Sequence, residues 1–577
     1  MSNGFSYASL SRRAFLQSLA GAGVFVLGAA RNPSWGRSQA QEILSGTHFD
    51  LEIGEVPVNF TGKSRIGTVV NGRIPAPLLR WREGDTVTLR VRNRLRETSS
   101  IHWHGMIVPA DMDGVPGLSF EGIPSGGEYV YRFKVNQSGT YWYHAHSRFQ
   151  EQTGLYGPIV IEPRAGERHR VQRDYIVLLS DWTDLDPERI FATLKKESAY
   201  YNFHQRTFGD LVEDIRRLGW RQTMENRRMW GRMRMNPTDL LDVSGYAYTY
   251  LMNGTTPDGN WTGLFRRGER VRLRFINGSA MSIFDVRIPG LELTVVATDG
   301  QDIEPVTVDE FRIATAETYD VIVEPKEDRA YTIFAQSMDR TGYARGTLAP
   351  RIGMAAEIPP LDPRPVLTMH DMGMSHGARS HDAHRAHTSH GHAESRQCHS
   401  QAEFGPTVDM VIEEPSISLA DPGVGLRDNG RRVLTYADLR TIGGPIDRRE
   451  PGRTIELHLT GHMERFIWSF DGQKFSEAEP LRFNYGERLR ITLVNDTMMT
   501  HPIHLHGMWS EVENEHGEFQ VRKHTIMVRP AQRISYAVTA DALGRWAFHC
   551  HLLYHMEAGM FRIVEVAPPA THEGGHE

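Results

Sequence analysis

Three segments of this chain repeat one pattern. Gly84–Asn93 (GDTVTLRVRN), Gly268–Asn277 (GERVRLRFIN) and Gly486–Asn495 (GERLRITLVN) each place a glycine and an acid before an alternating apolar and polar run, with asparagine nine residues past the glycine. Alternation at period two marks a half-buried strand. A unit that recurs three times marks a duplicated domain. At 577 residues the chain is also too long for one core. The pattern predicts an all-β protein of three Greek-key sandwich or barrel domains, roughly 45–165, 170–360 and 405–567.

The residues just past each copy separate the domains. His102 falls nine residues past Asn93, in IHWHG, and His504 nine past Asn495, in IHLHG; the middle copy reads IFDVR at 283–287, without histidine. The domain ends agree in the same way. GTYWYHAH (Gly139 to His146) aligns without gaps to GRWAFHCH (Gly544 to His551), and a glycine ten residues past the first histidine, Gly154 or Gly559, closes both. In this register Ala145 stands opposite Cys550, Gln150 opposite His555 and Leu155 opposite Met560. Domains one and three thus each keep two HxH pairs. Domain three alone adds cysteine, histidine and methionine.

Several stretches stand outside the repeat. Residues 1–40 carry paired arginines in SRRAFLQ, a mildly apolar run and a small-residue site ending at Ala40, which resembles a twin-arginine export signal and points to the periplasm. The apolar run is too short for a stable membrane span. Residues 204–236 are basic, contain Met224, Met229, Met233 and Met235, and predict a helical insertion in domain two whose methionines pack as a cover. Residues 361–404 form a Met/His-rich linker, polar from 369 onward and expected to be flexible and exposed, and 568–577 form a tail. The net charge of −6 advertises no nucleic-acid partner. Export would favour pairing of the two cysteines. Cys398 lies in a polar tract and Cys550 in a strand-like one, so Cys550 reads as a free thiol.

Histidines i and i+2 on a strand face the same side, so each HxH pair aims two imidazoles at one place. Random placement of 27 histidines would give about one such pair in the whole chain, against four in matched registers here. Eight imidazoles favour copper, zinc, iron or nickel over magnesium or calcium. His501, Cys550, His555 and Met560 add two imidazoles, a thiolate and a thioether, the donor set of a blue-copper electron-transfer site. Zinc would recruit more cysteines.

HWHG, HAH, HPIHLHG and HCHLLYHMEAGM together resemble the four signature motifs of the multicopper oxidases. That resemblance implies three cupredoxin-like domains and four copper ions. His501, Cys550, His555 and Met560 would bind the type 1 copper, and His102 and His504 the type 2 copper. His104, His144 and His551 would bind one ion of the type 3 pair, and His146, His506 and His549 the other. Asp113 matches a family acid that helps deliver protons to reduced dioxygen; Glu557 is the candidate nearest the HCH motif.

Within the family the twin-arginine signal, HPIHLHGMWSE, RKHT and the Met/His-rich linker are similar to the bacterial copper-resistance protein A group. The resemblance implies a periplasmic oxidase in copper tolerance that takes electrons from Cu(I) and passes them to dioxygen. Met369, His370, Met372, Met374 and His376 then form a candidate accessory copper segment. The alternatives are a laccase-like oxidase of small phenols and a copper-sequestering protein with incidental oxidase activity. A periplasmic copper carrier is a compatible partner, though no segment identifies one.

Overall fold

A computed structural model describes residues 41–374 and 401–568. The expected signal at 1–40, His376, Cys398 and the tail from 569 lie outside the described residues.

Six sheets form three pairs along the chain. Each repeat strand occupies the same place in its sheet. Thr86–Asn93 runs parallel to His48–Val58 and antiparallel to Glu128–Lys134. Val271–Asn277 lies likewise between Arg173–Trp182 and Thr318–Val323, and Arg488–Asn495 between Thr454–His462 and Arg533–Thr539.

The repeat residues have one physical role in all three copies. Gly84, Gly268 and Gly486 take φ of 93°, 78° and 81°, a region that favours glycine at the turn into the strand. Asn93, Asn277 and Asn495 are fully buried, and each side-chain amide donates to two backbone carbonyls: Glu97 and Ile123, Ser282 and Ile313, Met499 and Val528. Each amide therefore clamps the loop that leads into the next strand. In domains one and three that strand carries histidine; in domain two Phe284 and Val286 stand there, both fully buried.

One apolar core runs through domains two and three, and a second, around Trp81, Trp103, Tyr131 and Phe133, fills domain one. A short helix, α1 (Pro187–Leu194), precedes the insertion, which folds as α2 (Phe208–Leu218) and α3 (Trp220–Met233). Asp186 caps α1 ahead of Pro187, and Thr207 with Asp210 makes a capping box on α2. Trp230 is buried, Met229 and Met233 pack against the core, and Met235 is buried.

The linker departs from expectation at its start. Leu367, Met369 and Met372 are buried in the shared core of domains two and three, and Thr368 and Asp371 bond across a turn. Thioethers are apolar and adaptable, so they pack where a polar tract would stay in water. Met369 and Met372 are thus core residues, not part of an exposed tract. Exposed His370 and half-buried Met374 line a cavity of about 400 Å³ against domain three.

Candidate metal centre

The ligand strands of domains one and three superimpose in register. His102–His104 pairs with Gly139–His144 so that His102 faces His144; His501–Leu505 pairs with Gly544–Cys550 so that His504 faces His549. Pleating sends Trp103 into the core of domain one, beside Trp81 and Tyr131, while His102 and His104 turn the other way. The loop frame is duplicated too. Cys550 N–H donates to Met560 O and Met560 N–H to His555 O, as Ala145 N–H does to Leu155 O and Leu155 N–H to Gln150 O. Domain one fills that frame with Gln150, which accepts from Ser99 and donates to Glu97 and Thr98.

The eight cluster histidines meet between domains one and three, and all are buried except half-buried His146. Their hydrogen bonds fix which nitrogen is free. A carbonyl only accepts, so His102, His144, His504 and His549 donate from Nδ1 to the carbonyls of Asp113, Ala145, His524 and Cys550. His506 donates from Nδ1 to the Asp113 carboxylate at 2.8 Å. Each of these rings presents an Nε2 lone pair, and those of His102, His144 and His504 have no hydrogen-bond partner. His104 is inverted: its Nε2 meets Thr525 Oγ1 at 3.1 Å and its buried Nδ1 has none.

These lone pairs fit a cation. His506 Nε2 and His549 Nε2 lie 3.1 Å apart, and His146 Nε2 lies 3.3 Å from His549 Nε2. Two lone pairs at that spacing repel unless a positive ion takes both. Protons do not serve, because burial, helped for most of them by neighbouring imidazoles, holds His104, His144, His146, His504, His506 and His551 well below the ordinary pKa, and His549 at about 4. Neutral imidazole is the form that ligates metals. His146, His506 and His549 can close on one ion, and His102 groups with His104 and His144 and also with His504 and His506.

A second site lies under α4 (Leu553–Glu557). His501 Nδ1 and His555 Nδ1 are 3.2 Å apart, with Cys550 Sγ 3.5 Å from the first and 4.0 Å from the second. All three residues and Met560 are fully buried. Burial drives the Cys550 thiol far above its ordinary pKa, so only a bound cation stabilises the thiolate there. The outer nitrogens are occupied, His501 Nε2 by Thr497 Oγ1 and His555 Nε2 by Asp242 Oδ2, both at 2.7 Å. Trp468 stacks on His555 with ring centres 4.0 Å apart. Since Cys550 alternates with His549 and His551 on one strand, its thiol faces this site while its neighbours face the cluster.

Asp113, read from sequence, touches the cluster through both its carbonyl and its carboxylate. Glu557 does not stand at the cluster. It ends α4 with Arg148 and Glu188 as its charged neighbours. Besides Asp113, a second buried acid reaches a cluster ligand: Glu151, with Oε2 2.7 Å from His144 Nδ1. Burial and then Asp181 push its carboxyl well up. Sequence reasoning also missed Asp242, His524 and Thr525. His524 and Thr525 sit in the RKHT run, but nothing in their spacing signals a role. Asp242 comes after the insertion, far from every motif.

Multicopper oxidase family models match residues 52–166, 173–351 and 448–570. The chain is 61% identical over 583 residues to a copper resistance protein A homolog of Pseudomonas syringae pv. tomato, covering 96% of this chain and 99% of that one. It is 57% identical over 605 residues to copper resistance protein A of Escherichia coli, with the same coverage. Among solved structures, Fet3p, a multicopper oxidase that functions in iron import, matches with a TM-score of 0.63 at 19% identity over 91% of each chain. A laccase-like multicopper oxidase CueO from Ochrobactrum sp. matches at 0.60 and 17%, covering 91% of this chain and 99% of that one. At such identities the structural likeness is one of fold: three cupredoxin-like domains. Sequence identity carries the family. The chain belongs to the multicopper oxidases, copper-bearing oxidoreductases that couple a reducing substrate to dioxygen, and within them to the copper resistance protein A group.

Proposed function

We propose that this protein is a periplasmic oxidase of copper tolerance, exported by the twin-arginine route, that oxidises Cu(I) to Cu(II) and reduces dioxygen to water. Four coppers serve it: a type 1 ion held by His501, Cys550, His555 and Met560, a type 2 ion by His102 and His504, and a type 3 pair by His104, His144 and His551 and by His146, His506 and His549. Copper at these residues would supply one-electron redox chemistry, matching a single-electron donor to the four-electron reduction of dioxygen. The chain's own part is to connect and insulate. Cys550 links covalently to His549 and His551, giving electrons an unbroken covalent route through the backbone from one site to the other. Asp113 accepts from His506 and holds a carboxylate beside the cluster, where it can pass protons to reduced oxygen.

The observation that carries the choice of donor is Asp242. His555 Nε2, the outer edge of the type 1 site, is capped by a carboxylate that is itself 2% exposed. A second buried carboxylate, Asp239, accepts from the Asp242 N–H. Two buried acids at this edge suit a cationic donor better than a neutral ring. Oxygen uptake with Cu(I) and with a methoxyphenol tests this. We expect Cu(I) to be the better donor and Asp242→Asn to depress Cu(I) turnover while the blue absorption of the type 1 site persists. Faster turnover of the phenol by the unaltered protein would defeat the Cu(I) reading. Cys550→Ser that keeps copper tolerance would favour sequestration instead.

A further inference from the structure

Domain two bears none of the twelve assigned copper ligands, yet one of its turns touches both domains that do. Strands Leu293–Thr298 and Gln301–Val308 are joined by Asp299-Gly300, with Asp299 at φ 48° and Gly300 at φ 73°, the left-handed pair of a tight hairpin turn. Towards domain one the turn meets the base of the strand that carries His144. A side chain at Gly139 would strike the Gly300 backbone, and one at Gly300 would strike the Tyr141 ring. Towards domain three, Asp299 Oδ2 accepts from the backbone N–H groups of His524 and Thr525, both at 3.1 Å. Lys523, fully buried, lies 3.0 Å from the same oxygen.

His524 and Thr525 in turn hold two cluster histidines. His524 O accepts from His504 Nδ1 at 2.5 Å, freeing His504 Nε2. Thr525 Oγ1 lies 3.1 Å and His524 Nδ1 3.2 Å from His104 Nε2, leaving His104 Nδ1 free. Outer partners of this kind set the tautomer and orientation of a metal-binding histidine.

We propose that Asp299 is a positioning residue for the oxygen-reducing cluster: through the backbone of His524 and Thr525 it presents His504 by Nε2 and His104 by Nδ1. The proposal rests on the assignment of the eight histidines to a copper cluster. Through this turn domain two sets cluster geometry from outside; its contact with the type 1 site is a separate one, made by Asp242 on His555.

The test uses the full chain, copper-loaded and then dialysed against a chelator that fixes free copper, with copper per chain, the type 2 resonance and the blue type 1 absorption as readouts. Asp299→Gly keeps the left-handed turn and removes the acceptor; Asp299→Asn keeps turn and acceptor. Thr525→Val cuts the contact with His104 at the other end. We expect Asp299→Gly and Thr525→Val to lower copper affinity of the cluster about 10- to 100-fold with the blue absorption intact, and Asp299→Asn to restore most of it. Cluster copper held by Asp299→Gly as tightly as by the unaltered protein would overturn the proposal. So would parallel loss of the blue absorption together with a collapsed melting point, since that marks a merely structural role. If the unaltered protein itself binds only the blue copper, the cluster reading falls and this proposal with it.

Discussion

Lys523→Met tests how domain two is fastened to domain three. Lys523 Nζ lies 3.0 Å from Asp299 and 3.1 Å from Glu317, donates to Thr298 Oγ1 at 2.9 Å, and sits 5.2 Å and 5.3 Å from the ring centres of Tyr319 and Tyr436; all three charged side chains are 0% exposed. Methionine matches the stem and removes the charge, leaving two buried carboxylates to one lost cation. Removing one partner of a buried pair costs about 3–5 kcal/mol. The remaining donors set the lower end. Asp299 keeps the N–H groups of Thr318, His524 and Thr525, and Glu317 keeps Ala314 N–H and Tyr436 O–H. At roughly 2 °C per kcal/mol for a large domain, the copper-free protein should melt about 6–10 °C lower.

The pH dependence gives a second reading of the same change. Burial already raises the Glu317 carboxyl, and without Lys523 it rises further. A carboxyl whose folded pKa exceeds its unfolded one binds more protons when folded, so stability falls as pH rises between the two values. The deficit should be smaller at pH 5 than at pH 8, and Glu317→Gln added to Lys523→Met should recover part of it. A melting point unchanged within about 1 °C, or a deficit flat with pH, would refute the reasoning.

Two other buried polar groups give distinct outcomes. Glu151→Leu removes the oxygen that meets His144 Nδ1, and should weaken copper at the cluster about 10-fold or more while the type 1 absorption is unchanged; metal analysis after dialysis checks it. His458 behaves differently. Burial disfavours its charge, but Asp496 at 2.6 Å and Glu456 raise its pKa to about 10. Its folded pKa thus exceeds the ordinary value of about 6.5, so its contribution is fully present below pH 6.5 and is lost as pH rises through about 10. His458→Gln should lower the melting point of the copper-free protein most near pH 6, and the gap should close towards pH 10.

Much of the protein can be read in one dimension because its determinants are periodic. Strand alternation, the turn glycine and the buried asparagine recur with each domain, so three copies announce the fold. The HxH pairs need only a strand to converge, and Cys550 needs only its two neighbours to face the opposite way. The absence of cluster histidines from domain two is legible for the same reason: Phe284 and Val286 stand in the histidine register.

What sequence could not supply lies across contacts between distant segments. Nearness to HCH along the chain favours Glu557, whereas Glu151, 400 residues from His551, is the acid that joins Asp113 in meeting a cluster ligand. Met369 and Met372 read as part of an exposed linker in sequence, but the core of domains two and three encloses them. Asp242 and Asp299 belong to a domain with no assigned copper ligand, yet one caps His555 and the other holds the backbone beside His104 and His504. The ligands themselves are set by local spacing, fixed by the period of a strand. Which nitrogen each presents, and which carboxylate stands behind it, depends on hydrogen bonds that only the packing of three domains brings within reach.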